Sequence, residues 1–213
     1  MATLTVIKKL LIATGGAAFA VVGTLGMEQA KAATLFADNF DSENQGQGEA
    51  NYNKFLNFIV SKGTVDLIGN GFFGHYPGNG LYIDLDGSTF QGGTLTTRNS
   101  FSLSPGSYNL SFDLGNNATF QQTNIVDVSL GTVYNESFTV KGPNPFTTIN
   151  RTIVVTSPTT ARLSFSDRGN DNQGGVIDNI VLSTTAVPEP SSTFGLLALI
   201  GLSTTTFLKR NKK

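Results

Sequence analysis

A strict alternation of apolar and polar residues over 108–114 is the feature that most constrains the fold. The residues there read Tyr-Asn-Leu-Ser-Phe-Asp-Leu, and a period of two places every apolar side chain on one face of a β-strand. Glycine, asparagine, serine and threonine interrupt the chain about every eight to twelve residues, a spacing typical of a sandwich or barrel. The sequence therefore predicts an all-β fold of about eleven or twelve short strands in two antiparallel sheets, a jelly-roll sandwich.

Charge and cysteine content exclude several classes of function. Residues 33–187 hold 13 acidic and 7 basic residues, a net charge of −6, whereas the whole chain has a formal charge of −1. Nucleic acid is excluded as a partner because binding it requires a basic surface. The chain has no cysteine, so neither disulfides nor a thiolate zinc site stabilises it. A domain of about 155 residues can bury a sufficient core without them.

The N-terminal segment has the pattern of a secretory signal. Lys8 and Lys9 precede an apolar stretch at 10–26, and Ala30-Lys31-Ala32 provides the small residues that signal peptidase recognises. Residues 1–32 are therefore predicted to be a signal helix, cleaved before Ala33. The alternative is a first transmembrane helix, which the cleavage pattern at the right distance disfavours.

The C-terminal segment, residues 187–213, has three parts. These are Val187-Pro188-Glu189-Pro190, an uncharged apolar run at 194–208, and the basic residues Lys209, Arg210, Lys212 and Lys213. The prolines end any regular structure arriving from upstream. As a helix, the apolar run spans roughly 22 Å, less than the ~30 Å hydrocarbon core of a bilayer. The basic end stops translocation and stays cytoplasmic. The domain between the two end segments is predicted to be residues 33–186.

This tail resembles the PEP-CTERM sorting signal of exported Gram-negative bacterial proteins, through the Pro-Glu-Pro triplet, the short glycine-containing apolar helix and the basic end. The resemblance implies a transient inner-membrane anchor that an exosortase removes as the protein passes to the cell surface or extracellular matrix. The alternative is a permanent C-terminal anchor with the same topology.

Three short blocks in the domain, 38–41, 106–114 and 178–182, resemble the galactose-binding-like jelly rolls common in exported PEP-CTERM proteins, a pattern that carbohydrate-binding modules share. The resemblance implies that the first and last strands lie side by side and hold a structural calcium ion where they meet. Asp41 and Asp178 are its expected ligands, and Asp171 and Asn172 are further oxygen donors, since calcium takes six to eight oxygens. Alternatively, Asp41 and Asp178 are turn and hydrogen-bonding residues.

The segment 69–80 is the predicted ligand surface because it places aromatic rings among five glycines and a proline. Sugars stack their apolar faces on flat rings, and neighbouring amides or carboxylates bind their hydroxyls. The expected ligand-binding residues are Phe72, Phe73, Tyr76, Asn79 and Asp84. Alternatively, Phe72 and Phe73 belong to the core, although adjacent residues of a strand face opposite ways, so at most one of them would be buried.

An enzymatic function is not expected. His75 is the only histidine, and the chain has neither a cysteine nucleophile nor a Gly-x-Ser-x-Gly motif. A glycosidase requires only two carboxylates, but no spacing selects a pair among the acidic residues. The sequence predicts an exported, non-enzymatic protein that associates with exopolysaccharide or extracellular matrix and binds glycan. The alternatives are a carbohydrate-active enzyme on the same scaffold and a purely structural surface protein.

Overall fold

In the computed structural model of the protein, the residues described are 32–116 and 122–186. Residues 1–31 and 187–213 lie outside these ranges, so the signal peptide and the sorting tail remain predictions from the sequence. Across 32–116 and 122–186, no helix combines the length and apolar character needed to cross a membrane.

The regular secondary structure of the described residues is almost entirely β, with one 3-10 turn at Glu43–Gly46. Two of the strands have only two residues each, since Asp86 and Gly87 pair with Gly92 and Gln91. The strands are β1 Thr34–Asp38, β2 Phe58–Lys62, β3 Asp66–Gly69, β4 Leu81–Asp84, β5 Asp86–Gly87, β6 Gln91–Gly92, β7 Thr94–Thr97, β8 Phe101–Leu103, β9 Gly106–Asn116, β10 Thr123–Leu130, β11 Tyr134–Lys141, β12 Thr147–Val155, β13 Thr159–Ala161, β14 Leu163–Asp167 and β15 Gly175–Thr184.

Two antiparallel sheets make up most of the domain. Sheet A has the order β12-β9-β15-β4-β3, with β1 also pairing with β15, and sheet B has the order β11-β10-β14-β7-β2. Strand β1 runs antiparallel to β15, from the Thr34–Ser183 pair to the Asp38–Ile180 pair. For the described residues, the prediction of an all-β domain with two main antiparallel sheets is confirmed, and the first and last strands do lie side by side.

The main core lies between the inward faces of the two sheets. All four apolar residues of the alternating stretch 108–114 are buried in it, as the period of two predicts. The Phe112 ring of sheet A meets the Phe165 ring of sheet B edge-on, with centroids 5.2 Å apart. Such edge-to-face pairs are favourable beyond the area that they bury, so this contact helps to fix the two sheets against each other.

A second, smaller apolar cluster covers part of the outer face of sheet A. Its buried members are Ile68, Tyr82 and Val176. Each is the neighbour of a residue in the main core, and successive side chains of a strand point to opposite faces. The rings of Phe72, Tyr76 and Phe146 pack on this cluster, so the segments that carry these rings lie over the sheet and create the site described next.

Candidate functional site

An open groove of about 660 Å³ lies on the outer face of sheet A. One wall comes from residues 69–80, here called the aromatic loop, and the other from residues 142–146, here called the opposite loop. Strands β9 and β15 supply the floor. The lining residues are His75, Tyr76, Pro77, Gly78, Asn79, Asp113, Pro145, Phe146 and Asn179.

Two tyrosine hydroxyl groups fix the aromatic loop. The Tyr82 hydroxyl accepts the main-chain N–H groups of His75 at 2.7 Å and Tyr76 at 3.0 Å. The Tyr76 hydroxyl donates to the carbonyl oxygen of Asn144 at 2.6 Å and also contacts that of Asn116. Burial raises the pKa of the Tyr76 hydroxyl to about 12, so it remains protonated and a donor at physiological pH. The two loops are thus joined across the sheet.

Glycine is required where the aromatic loop returns to β4. Gly80 has a φ of +73°, and a Cβ atom there would collide with the Asp41 carboxylate. That carboxylate accepts the N–H of Leu81 at 2.9 Å. Gly80 is suited to this position because it adopts the left-handed conformation readily and has no side chain. Asn79, which precedes it, is exposed at the edge of the groove.

The groove has an aromatic wall. The Tyr76 and Phe146 rings lie 4.8 Å apart at 45°, and the buried Tyr82 ring meets Phe146 edge-on at 5.4 Å. Both lining rings are half-buried, so each keeps part of its surface for a ligand. Apolar rings with a few well-placed polar groups are the usual composition of a small-ligand site.

The polar floor is held by its own hydrogen bonds. The Asn179 side-chain amide donates to Asp113 Oδ2 at 2.9 Å and to Asp178 Oδ2 at 3.3 Å. Thr148 donates its hydroxyl hydrogen to Asp113 Oδ1 at 2.6 Å. Asn179 adopts a φ of +49°, and the pairing of β9 with β15 is irregular between Asp178 and Val181. The side-chain amide of the floor therefore comes from a locally irregular part of β15.

Asp178 lies beneath the floor rather than in the groove, since only 1% of its surface is exposed. Burial raises the pKa of Asp178 to about 8, and the negative charges of Asp41, Asp113 and Asp38 contribute to the rise. The main-chain N–H of Asn179 donates to Asp178 Oδ1 at 2.7 Å, and this hydrogen bond lowers the pKa of Asp178 and so opposes the rise. A proton or a cation at this position would relieve the repulsion.

The predicted calcium ligands Asp41 and Asp178 lie near each other, since the charge of Asp41 raises the pKa of Asp178. Carboxylate oxygens are the donors that calcium takes, so the residue types fit. Both side chains also accept hydrogen bonds from neutral donors, as the alternative interpretation expects. Within 32–116 and 122–186, no three His, Cys, Asp or Glu side chains are grouped so as to hold a metal ion. Calcium binding therefore remains a hypothesis.

A second group of carboxylates anchors residues 168–175, which connect β14 to the first residue of β15. The Asp84 carboxylate accepts the main-chain N–H of Gly174 at 2.9 Å. The Asp86 carboxylate accepts the N–H of Asp171 at 2.9 Å, and the Asp167 carboxylate accepts the N–H of Gly175 at 2.8 Å. Burial raises the pKa of all three carboxyls, that of Asp167 to about 6. Asp171 and Asn172, the further calcium donors considered above, belong to this segment.

The five predicted ligand-binding residues are divided between the groove and other positions. Tyr76 and Asn79 line the groove. The half-buried Phe72 packs against Gly48, and Phe73 is 58% exposed beside it, with ring centroids 4.4 Å apart. Asp84 is buried at the opposite end of β4 from the aromatic loop. These three residues are not among those that line the groove.

The groove also contains residues that sequence reasoning missed, chiefly Asp113, Phe146 and Asn179. Asp113 is a polar member of the alternating stretch 108–114, and its alternation with the core residues could have placed it on the outer face. Asn179 is adjacent to the predicted Asp178. Phe146 carried no signal, because only the strand order brings the opposite loop near the aromatic loop.

No family model matches the sequence, and no curated protein matches it. Solved structures similar to this chain include a family 61 carbohydrate-binding module in complex with β-1,4-galactotriose (15% identity, TM-score 0.46, covering 70% of this chain and 95% of that one). The K3 cleaved adhesin domain of Lys-gingipain from Porphyromonas gingivalis has 13% identity and a TM-score of 0.45, covering 73% of this chain and 100% of that one. A family 35 module from Paenibacillus barcinonensis has 17% identity and a TM-score of 0.39, covering 66% and 100%. Carbohydrate-binding modules are thus among the structures similar to this chain.

Proposed function

We propose that residues 33–186 are a non-enzymatic glycan-binding module of an exported protein, which associates with exopolysaccharide or extracellular matrix. The observation that carries this proposal is the groove on sheet A. There the Tyr76 and Phe146 rings stand beside three polar side chains, those of Asn79, Asp113 and Asn179. A sugar presents an apolar face that packs on a ring and hydroxyl groups that bind amides and carboxylates.

The hydrogen bonding within the groove supports this function. The Tyr76 hydroxyl holds the two walls together, and Asn179 and Thr148 fix the Asp113 carboxylate. A site whose side chains are already ordered loses little conformational entropy when a ligand binds. This matters for a flexible glycan, because ordering the polymer on binding already costs conformational entropy, and an ordered site adds little to that cost.

Export and surface delivery are part of the proposal and rest on the sequence alone. Residues 1–32 have the pattern of a signal peptide, and residues 187–213 resemble a sorting tail. In this scheme signal peptidase and an exosortase process the two ends, and contact with the membrane through the C-terminal helix is transient. The module then reaches the cell surface or matrix, where polysaccharide is its partner.

A carbohydrate-active enzyme is the second candidate, favoured by one observation. The carboxylates of Asp113 and Asp178 both contact the Asn179 side-chain amide, so they are close enough to be considered as a catalytic pair. Glycosidases place two carboxyl groups about 5–9.5 Å apart on either side of the scissile bond. Asp178, however, is 1% exposed and only Asp113 of the two lines the groove, which favours binding over hydrolysis.

The test measures binding of the full chain, purified in detergent, to a panel of soluble polysaccharides, together with the release of reducing ends. We expect binding without hydrolysis. Phe146→Ala should weaken binding about tenfold or more, as truncation of a good aromatic anchor does. Phe90→Ala is the matched control, because Phe90 is 59% exposed and is not among the lining residues. Equal binding by both variants, with both folded, would contradict the proposal, and release of reducing ends that Asp113→Asn abolishes would favour the enzyme.

A further inference from the structure

The lining of the groove carries an acidic side chain but no lysine or arginine. None of the nine lining residues is lysine or arginine, and Asp113 is the one acidic residue among them. Burial lowers the pKa of His75 below its usual value of 6.5, so this imidazole is neutral near pH 7. A ligand therefore meets one carboxylate and no positive side chain on the lining.

Within 32–116 and 122–186, the carboxylates near the floor form no ion pair. Asp178 and Asp113 accept from the Asn179 side chain, Asp41 accepts from the Leu81 N–H, and Asp38 accepts from a main-chain N–H and an amide. All of these donors are neutral. The ion pairs found in the described ranges join Arg151 to Glu136 and Arg168 to Asp127, away from the lining. The acidic group on the groove lining is therefore not neutralised by a basic side chain of the same lining.

Asp113 has unused acceptor capacity. An ionised carboxylate has about four lone-pair positions for hydrogen bonds. Thr148 and Asn179 occupy two of these positions. A donor group of a ligand can take the remaining ones, and a charged donor adds Coulomb attraction to the hydrogen bond with the carboxylate.

The rings add a second attraction for positive charge. The Tyr76 and Phe146 rings line the same groove as Asp113. The face of an aromatic ring attracts cations, by about 0.5–1 kcal/mol at exposed sites and more where water is removed. A carboxylate and aromatic rings in one groove form a combination that suits an ammonium group.

We propose that the groove prefers glycan units that carry a protonated amine, so that its ligand class is the partially deacetylated amino-sugar polymers. This inference rests on the proposed glycan-binding function and specifies its ligand. The sugar ring packs on the aromatic wall, and its ammonium group donates to Asp113. Uronic-acid polymers are disfavoured because their carboxylates would face Asp113 with no positive side chain on the lining to pair with.

The experiment titrates the full chain, in detergent at low salt, with three hexamers: β-1,4-linked glucosamine, its fully N-acetylated counterpart, and oligogalacturonate. At a pH where the amines are protonated, we expect the glucosamine hexamer to bind about tenfold more tightly than the acetylated one. The difference should shrink in high salt, which screens charge. Oligogalacturonate should bind most weakly.

Two variants with the same change of charge locate the effect. Asp113→Asn should bring the affinities for the free-amine and acetylated hexamers to within about twofold, while binding of the acetylated hexamer persists. Asp127→Asn removes a carboxylate that pairs with Arg168 on sheet B and should leave the tenfold difference unchanged. Hexalysine tests for attraction to net charge alone and should bind much more weakly than the glucosamine hexamer.

Several results would overturn the proposal: equal or tighter binding of the acetylated hexamer, a preference that survives Asp113→Asn in a folded variant, or hexalysine binding as tight as that of the amino sugar. These outcomes are distinct from failure of the proposed function, in which the chain binds no hexamer and no neutral polysaccharide. Binding of neutral glycans without an amine preference would leave the proposed function standing and reject the inference alone.

Discussion

The Tyr76 hydroxyl lies 2.6 Å from the main-chain carbonyl oxygen of Asn144 and donates a hydrogen bond to it. The two residues are 68 positions apart in the chain, one in the aromatic loop and the other in the opposite loop. This bond joins the two walls of the groove together with the contact between the Tyr76 and Phe146 rings, and it depends on one oxygen atom that a phenylalanine would lack.

Tyr76→Phe should therefore loosen the groove without unfolding the domain. The change removes this donor, but the carbonyl of Asn144 still accepts the main-chain N–H of Asn116 at 3.0 Å. The loss is therefore that of an ordinary hydrogen bond, about 0.5–1.5 kcal/mol, while the ring and its packing remain. We expect a modest fall in melting temperature and a larger loss of glycan affinity, measured by thermal melting and titration. Tyr134→Phe is the control, because the Tyr134 hydroxyl donates to Glu136, which is not part of the groove. Unchanged affinity in Tyr76→Phe would show that the bond does not organise the site.

Stability should fall as the pH rises from about 5 to 9, because the folded protein holds protons on buried carboxyls. The pKa of Asp178 is raised from 3.8 to about 8, and that of Asp167 to about 6. Between the unfolded and folded pKa values the folded state binds more protons, so the free energy of unfolding decreases with increasing pH. We expect the melting temperature to drop by several degrees over this range. Asp178→Asn should flatten the upper part of the curve, and a melting temperature that rises steadily to pH 9 would contradict the argument.

Calcium, if it binds at Asp41 and Asp178, should replace the proton and restore stability at high pH. An ion that binds only the folded state stabilises it by about 2.7 kcal/mol at a hundredfold excess over its dissociation constant. Melting at pH 8 with calcium and with a chelator should then differ by several degrees in the parent protein and not in Asp178→Asn. Superimposable curves for the parent would exclude a calcium site, leaving the hydrogen-bonding role of both residues.

Processing of the two ends can be measured directly on material from the cell surface. The mature chain is expected to begin at Ala33 and to end near the Pro188-Glu189-Pro190 triplet, with the apolar run 194–208 removed. Intact-mass analysis decides between removal and retention of the tail. A surface form that still carries residues 194–213 would identify a permanent anchor instead of a sorting signal.

The sequence predicted those parts of the fold that depend on neighbouring residues. The alternation over 108–114 marked a strand with one buried face, and the four apolar residues are indeed buried in the core. Strands β5 and β6 have two residues each, too few to show a period, so no pattern could predict them. The side-by-side position of the first and last strands came from the family resemblance, because no local pattern specifies a contact across most of the chain.

The candidate site was only partly predictable for the same reason. Tyr76 and Asn79 belong to a ring-rich and glycine-rich segment, and loops of that kind often carry binding residues. Asp113 and Asn179 meet because β9 pairs with β15, and they are 66 residues apart. Asp84 is close to Asn79 in sequence, but it lies at the far end of β4, where the N–H of Gly174 binds its carboxylate. Proximity along the chain was therefore a poor guide to which polar groups share a surface.

The second half of the aromatic loop, residues 75–80, is attached on both sides to groups that are not part of the groove lining. Tyr82 accepts the N–H groups of His75 and Tyr76 on one side, and Asp41 accepts that of Leu81 on the other. Residues 77–79 lie between these attachment points and line the groove. Residues 77–79 therefore face the ligand, whereas the groups that accept these hydrogen bonds lie outside the lining. A combinatorial library randomised at Pro77 and Asn79, with Gly78 kept for its φ of +92° and with Tyr82, Asp41 and Gly80 also kept constant, offers a route to engineered binders of new glycans on an unchanged framework.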